Sequence, residues 1–177
     1  STLVRQSTLP GLPAYEVTVR AEWPDRARSV LQLHDAGTGQ LLALMDAGHL
    51  TALRASVVSA LAADVLARPN AKHVAVLGSG SAASSALKAL RLVRSIEQVW
   101  LYEPNAADNF QLAHQLQLTQ SMKVRAVDSA QEAVQGADIV VLSGGVPLGV
   151  AVVPPGAHVT VLAAERFADA PIPAPLL

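Results

Sequence analysis

Between residues 14 and 20 apolar and polar side chains alternate (Ala-Tyr-Glu-Val-Thr-Val-Arg), the period of a half-buried strand. Residues 29–34 and 40–45 are two further apolar runs around Asp35-Ala-Gly-Thr-Gly39, which predicts a hairpin with a glycine-bearing turn. From 49 to 68 the period becomes helical, with alanine at 52, 55, 60, 62, 63 and 67, and Pro69 ends it. At Lys72 strands and helices begin to alternate: strand 73–77, helix 82–93, strand 98–102, helix 106–117, strand 124–127, short helix 129–135, and strands 138–142 and 158–163. Strands joined by helices require right-handed crossovers and hence a parallel sheet. The unbroken runs Val74-Ala-Val-Leu77 and Ile139-Val-Val-Leu142 suit strands covered on both faces. The pattern therefore predicts an antiparallel α+β segment, 1–70, followed by an α/β domain with a doubly wound parallel sheet, 71–177.

Composition narrows the chemistry. The chain has 177 residues, enough for one domain or one domain and part of another. Thirteen Lys and Arg against 14 Asp and Glu leave no field to hold nucleic acid or an anionic membrane. With no cysteine, a disulfide framework, a thiolate metal site and a cysteine nucleophile are excluded, and the five histidines lack ligand spacing, so no metal is expected. The nearly uncharged stretch 139–164 is cut by Gly144, Gly145, Pro147, Gly149, Pro154, Pro155 and Gly156, too often for a bilayer-spanning helix. Residues 1–12 lack the basic and apolar regions of a secretory signal, and a cytoplasmic setting is the expectation. A charged content of 15% suggests a surface shared with a partner subunit.

Gly78-Ser-Gly-Ser-Ala-Ala83 follows the first buried strand and opens a helix, the setting in which GxGxxG/A signals a dinucleotide fingerprint. Gly78 permits the tight turn, Gly80 lets backbone approach a pyrophosphate, and Ala83 allows close helix packing. Ser79, Ser81 and Ala82 complete the loop, and the helix start supplies amides and positive dipole. Glu103 stands at the end of the next strand, 25 residues after Gly78, near the ~20 expected of the acid that grips the ribose hydroxyls. A carboxylate there repels a 2′-phosphate and favours NADH over NADPH. Two other readings share these residues: a purely structural strand-to-helix turn, and an S-adenosylmethionine site of the methyltransferase kind.

On the helix from His49, Arg54 shares a stripe with Leu50, Val57, Val58 and Leu61. A guanidinium stays charged, so on a buried face it needs an anion. That anion is either a fixed acid such as Asp46 or Asp64, or one that arrives with a substrate; Thr51, one turn earlier, adds a hydroxyl.

Leu44-Met-Asp-Ala-Gly-His-Leu-Thr-Ala-Leu-Arg54, the Ala-rich helix and Val76-Leu-Gly-Ser-Gly80 together resemble the ornithine cyclodeaminase and mu-crystallin family. Val127-Asp-Ser-Ala-Gln-Glu-Ala-Val-Gln-Gly-Ala-Asp-Ile-Val-Val141 and Pro155-Gly-Ala-His-Val159 extend the resemblance across roughly residues 14–177. The resemblance implies a Rossmann-type NAD domain preceded by part of a substrate-binding and dimerisation domain, in a homodimeric enzyme acting on a small amino or imino acid. Such enzymes include ornithine cyclodeaminases, alanine dehydrogenases and ketimine reductases. It assigns Arg54 to the substrate carboxylate, with Thr51 beside it on the helix as a further substrate contact, Glu103 to the NAD ribose and Glu165 to acid–base work. Two departures stand out. Glu16 occupies the place where the resemblance expects a catalytic lysine, and Glu165 stands where it expects aspartate. A catalytically silent NAD-binding or ligand-binding protein of the same fold is the alternative these departures raise.

Overall fold

The computed structural model describes residues 2–23, 27–78, 80–120, 123–143 and 153–162. Two compact units divide between Thr51 and Ala52. In the first, β1 (Thr2–Thr8), β2 (Ala14–Glu22), β3 (Ala27–Asp35) and β4 (Leu41–Asp46) form an antiparallel sheet in chain order. The alternation predicts β2, β3 and β4 but not β1. That strand sets Leu3 beside Val4, has no alternation, and exposes every residue; its ladder with β2, from Thr2 opposite Ala21 to Thr8 opposite Tyr15, is what makes it a strand. In the β3–β4 turn Asp35 Oδ1 accepts from the Gly37 and Thr38 amides and the Thr38 hydroxyl at 3.0, 2.7 and 2.8 Å. Those bonds, that of the Thr38 hydroxyl foremost, hold the Asp35 carboxyl below its ordinary value.

α1 (Gly48–Leu66) starts where Asp46 Oδ1 accepts from the Gly48 amide at 2.8 Å and continues into the second unit. There β5 (His73–Leu77), α2 (Gly80–Val93), β6 (Gln98–Tyr102), α3 (Ala106–Gln120), β7 (Val124–Ala126), α4 (Ala130–Val134), β8 (Ile139–Leu142) and β9 (His158–Val161) follow. All five strands are parallel, in the order β7-β6-β5-β8-β9. Val74, Val76, Val99, Leu101, Ile139 and Val141 pack against side chains of α1, α2 and α3. Ala75, Leu77, Val140 and Leu142, of opposite parity, pack with Ala133 and Val134 of α4. Helices on both faces bury β8 throughout and β5 from Val74 on, the cause of their unbroken apolar runs.

The packing of α1 differs from its apolar stripe. Ser56, Ser59, Ala60 and Ala63 are the buried residues, and Thr160 of β9 donates to Ser59 Oγ at 3.1 Å. Leu50, Val57, Val58 and Leu61 are exposed, and Arg54 with them. Small side chains let the helix lie close to the sheet, so the small-residue face wins over the larger one. By length and composition α1 also matches a bilayer-spanning helix; its serine and alanine face is closed into the core of the second unit.

At the amino edge of the parallel sheet Asp138 accepts from the Lys72 and His73 amides, both at 2.9 Å, and from Arg68 Nη2 at 2.7 Å. Burial pushes the Asp138 carboxyl up, but these amides, Arg68 and His73 together outweigh it and the net direction is down. Arg94 donates to the carbonyls of Ala63, Asp64, Arg68 and Pro69, covering the otherwise bare end of α1. Asp138→Ala leaves two amides and a guanidinium without their anion and is expected to cost about 2–4 kcal/mol. Urea unfolding measures it, and a loss below about 0.5 kcal/mol would contradict the role.

His158 Nε2 is buried with no partner among the described residues, and burial lowers the His158 pKa. The unfolded chain protonates this ring near the ordinary imidazole value of about 6.5 and the folded chain resists. Its contribution is therefore intact above that value and declines as pH falls below it. His158→Leu is expected to flatten the decline in unfolding free energy between about pH 6.5 and 5; an unchanged slope would contradict this.

Candidate dinucleotide site

β5 runs into Gly78, which is buried at φ 107° and donates its amide to Tyr102 O at the end of β6 (2.8 Å). On the other side the Ser143 amide donates to Leu77 O at 2.9 Å, and its Oγ to the same carbonyl at 3.4 Å. The carboxyl ends of β6, β5 and β8 are thereby tied together. Gly78 spends its amide on this tie, so its part is conformational: a φ in the left-handed region, strained for any residue with a Cβ. Gly80, the first residue of α2, is likewise at φ 87°. A Cβ built on Gly80 would find no heavy atom within 4 Å. Among the described residues, then, nothing crowds the helix start at this point, as a loop that admits a diphosphate requires. Gly80, exposed Ser81 and half-buried Ala82 lie in the first turn, whose amides have no intrahelical carbonyl to bond. Ala83 is fully buried, the small residue that close helix packing needs. Ser79 lies outside the described residues.

Glu103 directly follows the carbonyl that ties Gly78, so its carboxylate and the open helix start belong to neighbouring strands, about 4.8 Å apart in the sheet. It is half-buried, and among the described residues it makes no hydrogen bond or ion pair.

The height of Arg54 follows from register. Ser59 meets Thr160, which stands beside Val141 and so beside Val76. α1 runs toward the amino edge, where Arg94 and Asp138 hold the segment that follows it. Five residues back from Ser59, about 7.5 Å along the helix, Arg54 lies further from that amino edge, on the side of the carboxyl ends of the strands. It is exposed and makes no ion pair or hydrogen bond among the described residues. The two acids considered as structural partners are engaged elsewhere, Asp46 by the Gly48 amide and Asp64 by Arg94. Thr51 is half-buried on the same helix, three residues earlier.

Glu16, in the first unit, accepts from Ser7 Oγ at 2.7 Å and Thr18 Oγ1 at 3.5 Å. Glu165 lies outside the described residues. The sequence reading passed over Asn109, a buried amide on α3 whose Nδ2 donates to Val127 O at 3.0 Å. Its signal was available: Leu112, Ala113 and Leu116, three, four and seven residues on, make the apolar stripe that it interrupts.

A parallel sheet of this strand order, with helices on both faces and an open glycine turn after its central strand, defines a Rossmann-type fold. The chain belongs to the ornithine cyclodeaminase/mu-crystallin family, whose model matches residues 19–175. It is 30% identical to a delta(1)-pyrroline-2-carboxylate reductase of Bacillus cereus over 148 residues, 80% of this chain and 46% of that protein. It is 35% identical to an ornithine cyclodeaminase of Agrobacterium tumefaciens over 108 residues, 61% of this chain and 30% of that one. Its fold is that of the Thermococcus litoralis delta(1)-pyrroline-2-carboxylate reductase, solved in complex with NADH and L-proline. The TM-score is 0.78 at 23% identity, over 90% of this chain and 57% of that chain. The chain spans about half the length of the first of these relatives.

Proposed function

We propose that the chain carries the NAD-binding part and the carboxylate clamp of an oxidoreductase or cyclodeaminase that acts on a small amino or imino acid. It works as a homodimer in the cytoplasm and prefers NADH to NADPH. The observation that carries the reading is the pairing of a left-handed glycine turn at Gly80 with a Glu103 carboxylate that has no partner among the described residues, on strands joined through Gly78 and Tyr102. The first-turn amides of α2 would hold a diphosphate and Glu103 the two ribose hydroxyls. A bound nicotinamide nucleotide supplies or accepts a hydride. Arg54, exposed and without an ion pair or hydrogen bond among the described residues, would orient the acid through paired N–H donors, fixing the carbon that bears nitrogen. Glu165 and Thr51 are the further residues we assign to proton transfer and substrate binding. The relatives named for pyrroline-2-carboxylate reduction and ornithine cyclisation support the substrate class.

One observation favours a silent binding protein instead. Glu16 accepts hydrogen bonds from Ser7 and Thr18, and an accepting carboxylate donates no proton to a substrate. Fluorescence titration with NADH and NADPH, followed by pyrroline-2-carboxylate, ornithine, or pyruvate with ammonia, separates the two. Cofactor binding with turnover of one of these supports the enzyme, and binding with no change at the nicotinamide absorbance band supports the silent protein. Failure to bind either nucleotide would overturn both.

A further inference from the structure

Along the carboxyl edge, neighbouring strands end in different groups: β5 in the glycine turn, β6 in Glu103, and β7 in Val127, Asp128 and Ser129. With a diphosphate at the first and a ribose at the second, the dinucleotide reading carries the adenine one strand further, to the loop after β7. Three interactions hold that loop. The Val127 amide donates to Leu101 O at 2.9 Å, Ser129 caps α4 by accepting the Glu132 amide at 3.1 Å, and Asn109 Nδ2 donates to Val127 O.

Of these, the Asn109 bond is costly for the fold. The residue is 4% exposed among apolar neighbours, and its Oδ1 has no partner among the described residues. A half-satisfied buried amide is worth less to stability than an apolar side chain of its size. What the amide adds is direction: with both its N–H and its C=O bonded, the Val127 residue is fixed against rotation. Because Oδ1 is closed to solvent, Asn109 does not reach a ligand itself and acts through Val127.

We propose that Asn109 is a positioning residue for the base of the dinucleotide. It fixes the loop after β7 as the wall of an adenine subsite, and so sets affinity for the adenylate half of the cofactor and not for the nicotinamide half. The inference rests on the dinucleotide reading above.

The test compares the full chain with its Asn109→Leu and Asn109→Ala variants. Affinities are measured for ADP-ribose, which carries the adenylate half, and for reduced nicotinamide mononucleotide, which lacks it, alongside thermal unfolding. ADP-ribose affinity is expected to fall about tenfold in both variants, with the mononucleotide unchanged. A folded variant that keeps its ADP-ribose affinity, whatever its unfolding temperature, would reduce Asn109 to a core residue and overturn the proposal, as would equal losses for the two probes. Asn109→Ala removes the donor without adding bulk or charge, so it carries the comparison if the leucine variant does not fold. Wild-type protein that binds neither ADP-ribose nor NADH would overturn the dinucleotide reading; wild-type binding matched by both variants would overturn the Asn109 proposal alone.

Discussion

Glu103→Ser is expected to weaken NADH binding by roughly 100-fold and to leave NADPH binding unchanged or tighter. In the proposed site the carboxylate would accept from both ribose hydroxyls, and losing two charge-assisted hydrogen bonds of this kind costs about 3 kcal/mol. Against NADPH the same group is repulsive, because the 2′-phosphate brings negative charge to within a few ångströms of it; serine removes the repulsion and offers a donor. The position makes the substitution readable. Glu103 makes no hydrogen bond or ion pair among the described residues, so changing it leaves no stranded partner. Titrations of both cofactors, wild type against variant, give the ratio. Equal losses for the two nucleotides would remove Glu103 from the ribose site.

For Arg54→Leu, the expected result is a rise of at least about 100-fold in KM for an acid substrate, with NADH affinity unchanged. A guanidinium meets a carboxylate through two parallel N–H bonds, worth several kcal/mol where water is excluded. Leucine keeps the helix and the apolar stripe but supplies no donor. Arg54→Lys restores charge without the planar fork and should recover only part of the loss. Arg54 is exposed and bonds to nothing among the described residues, so the leucine variant should fold as wild type does. If NADH affinity collapsed together with substrate saturation, Arg54 would belong to the nucleotide site instead.

The parallel sheet was legible in the sequence because both of its signals are local: unbroken apolar strands, and a glycine turn between strand and helix. Val74–Leu77 and Ile139–Leu142 can be buried on two faces only between helix layers, and Gly78 and Gly80 both adopt the left-handed backbone that glycine tolerates. β1 escaped because it buries nothing; its pairing with β2 is a property of two segments, invisible in either alone. The packed face of α1 was misjudged for a related reason. Its large apolar side chains make the conspicuous stripe, yet the sheet accepts Ser56, Ser59, Ala60 and Ala63, because a helix approaches a sheet more closely on small side chains. Arg54 was therefore singled out for being charged on a face expected to be buried. Its standing as a candidate rests instead on being exposed and without an ion pair or hydrogen bond among the described residues. Arg94 and Asp138, which hold the amino edge, bond to backbone groups whose neighbourhood exists only after folding.

A crystal structure of the protein with NADH addresses the proposed cofactor site most directly. The expected result is phosphate oxygens about 3 Å from the first-turn amides of α2, and both adenosine ribose hydroxyls within hydrogen-bonding distance of the Glu103 carboxylate. A dinucleotide seated away from the Gly78–Gly80 turn, or bound there with its ribose turned from Glu103, would contradict it.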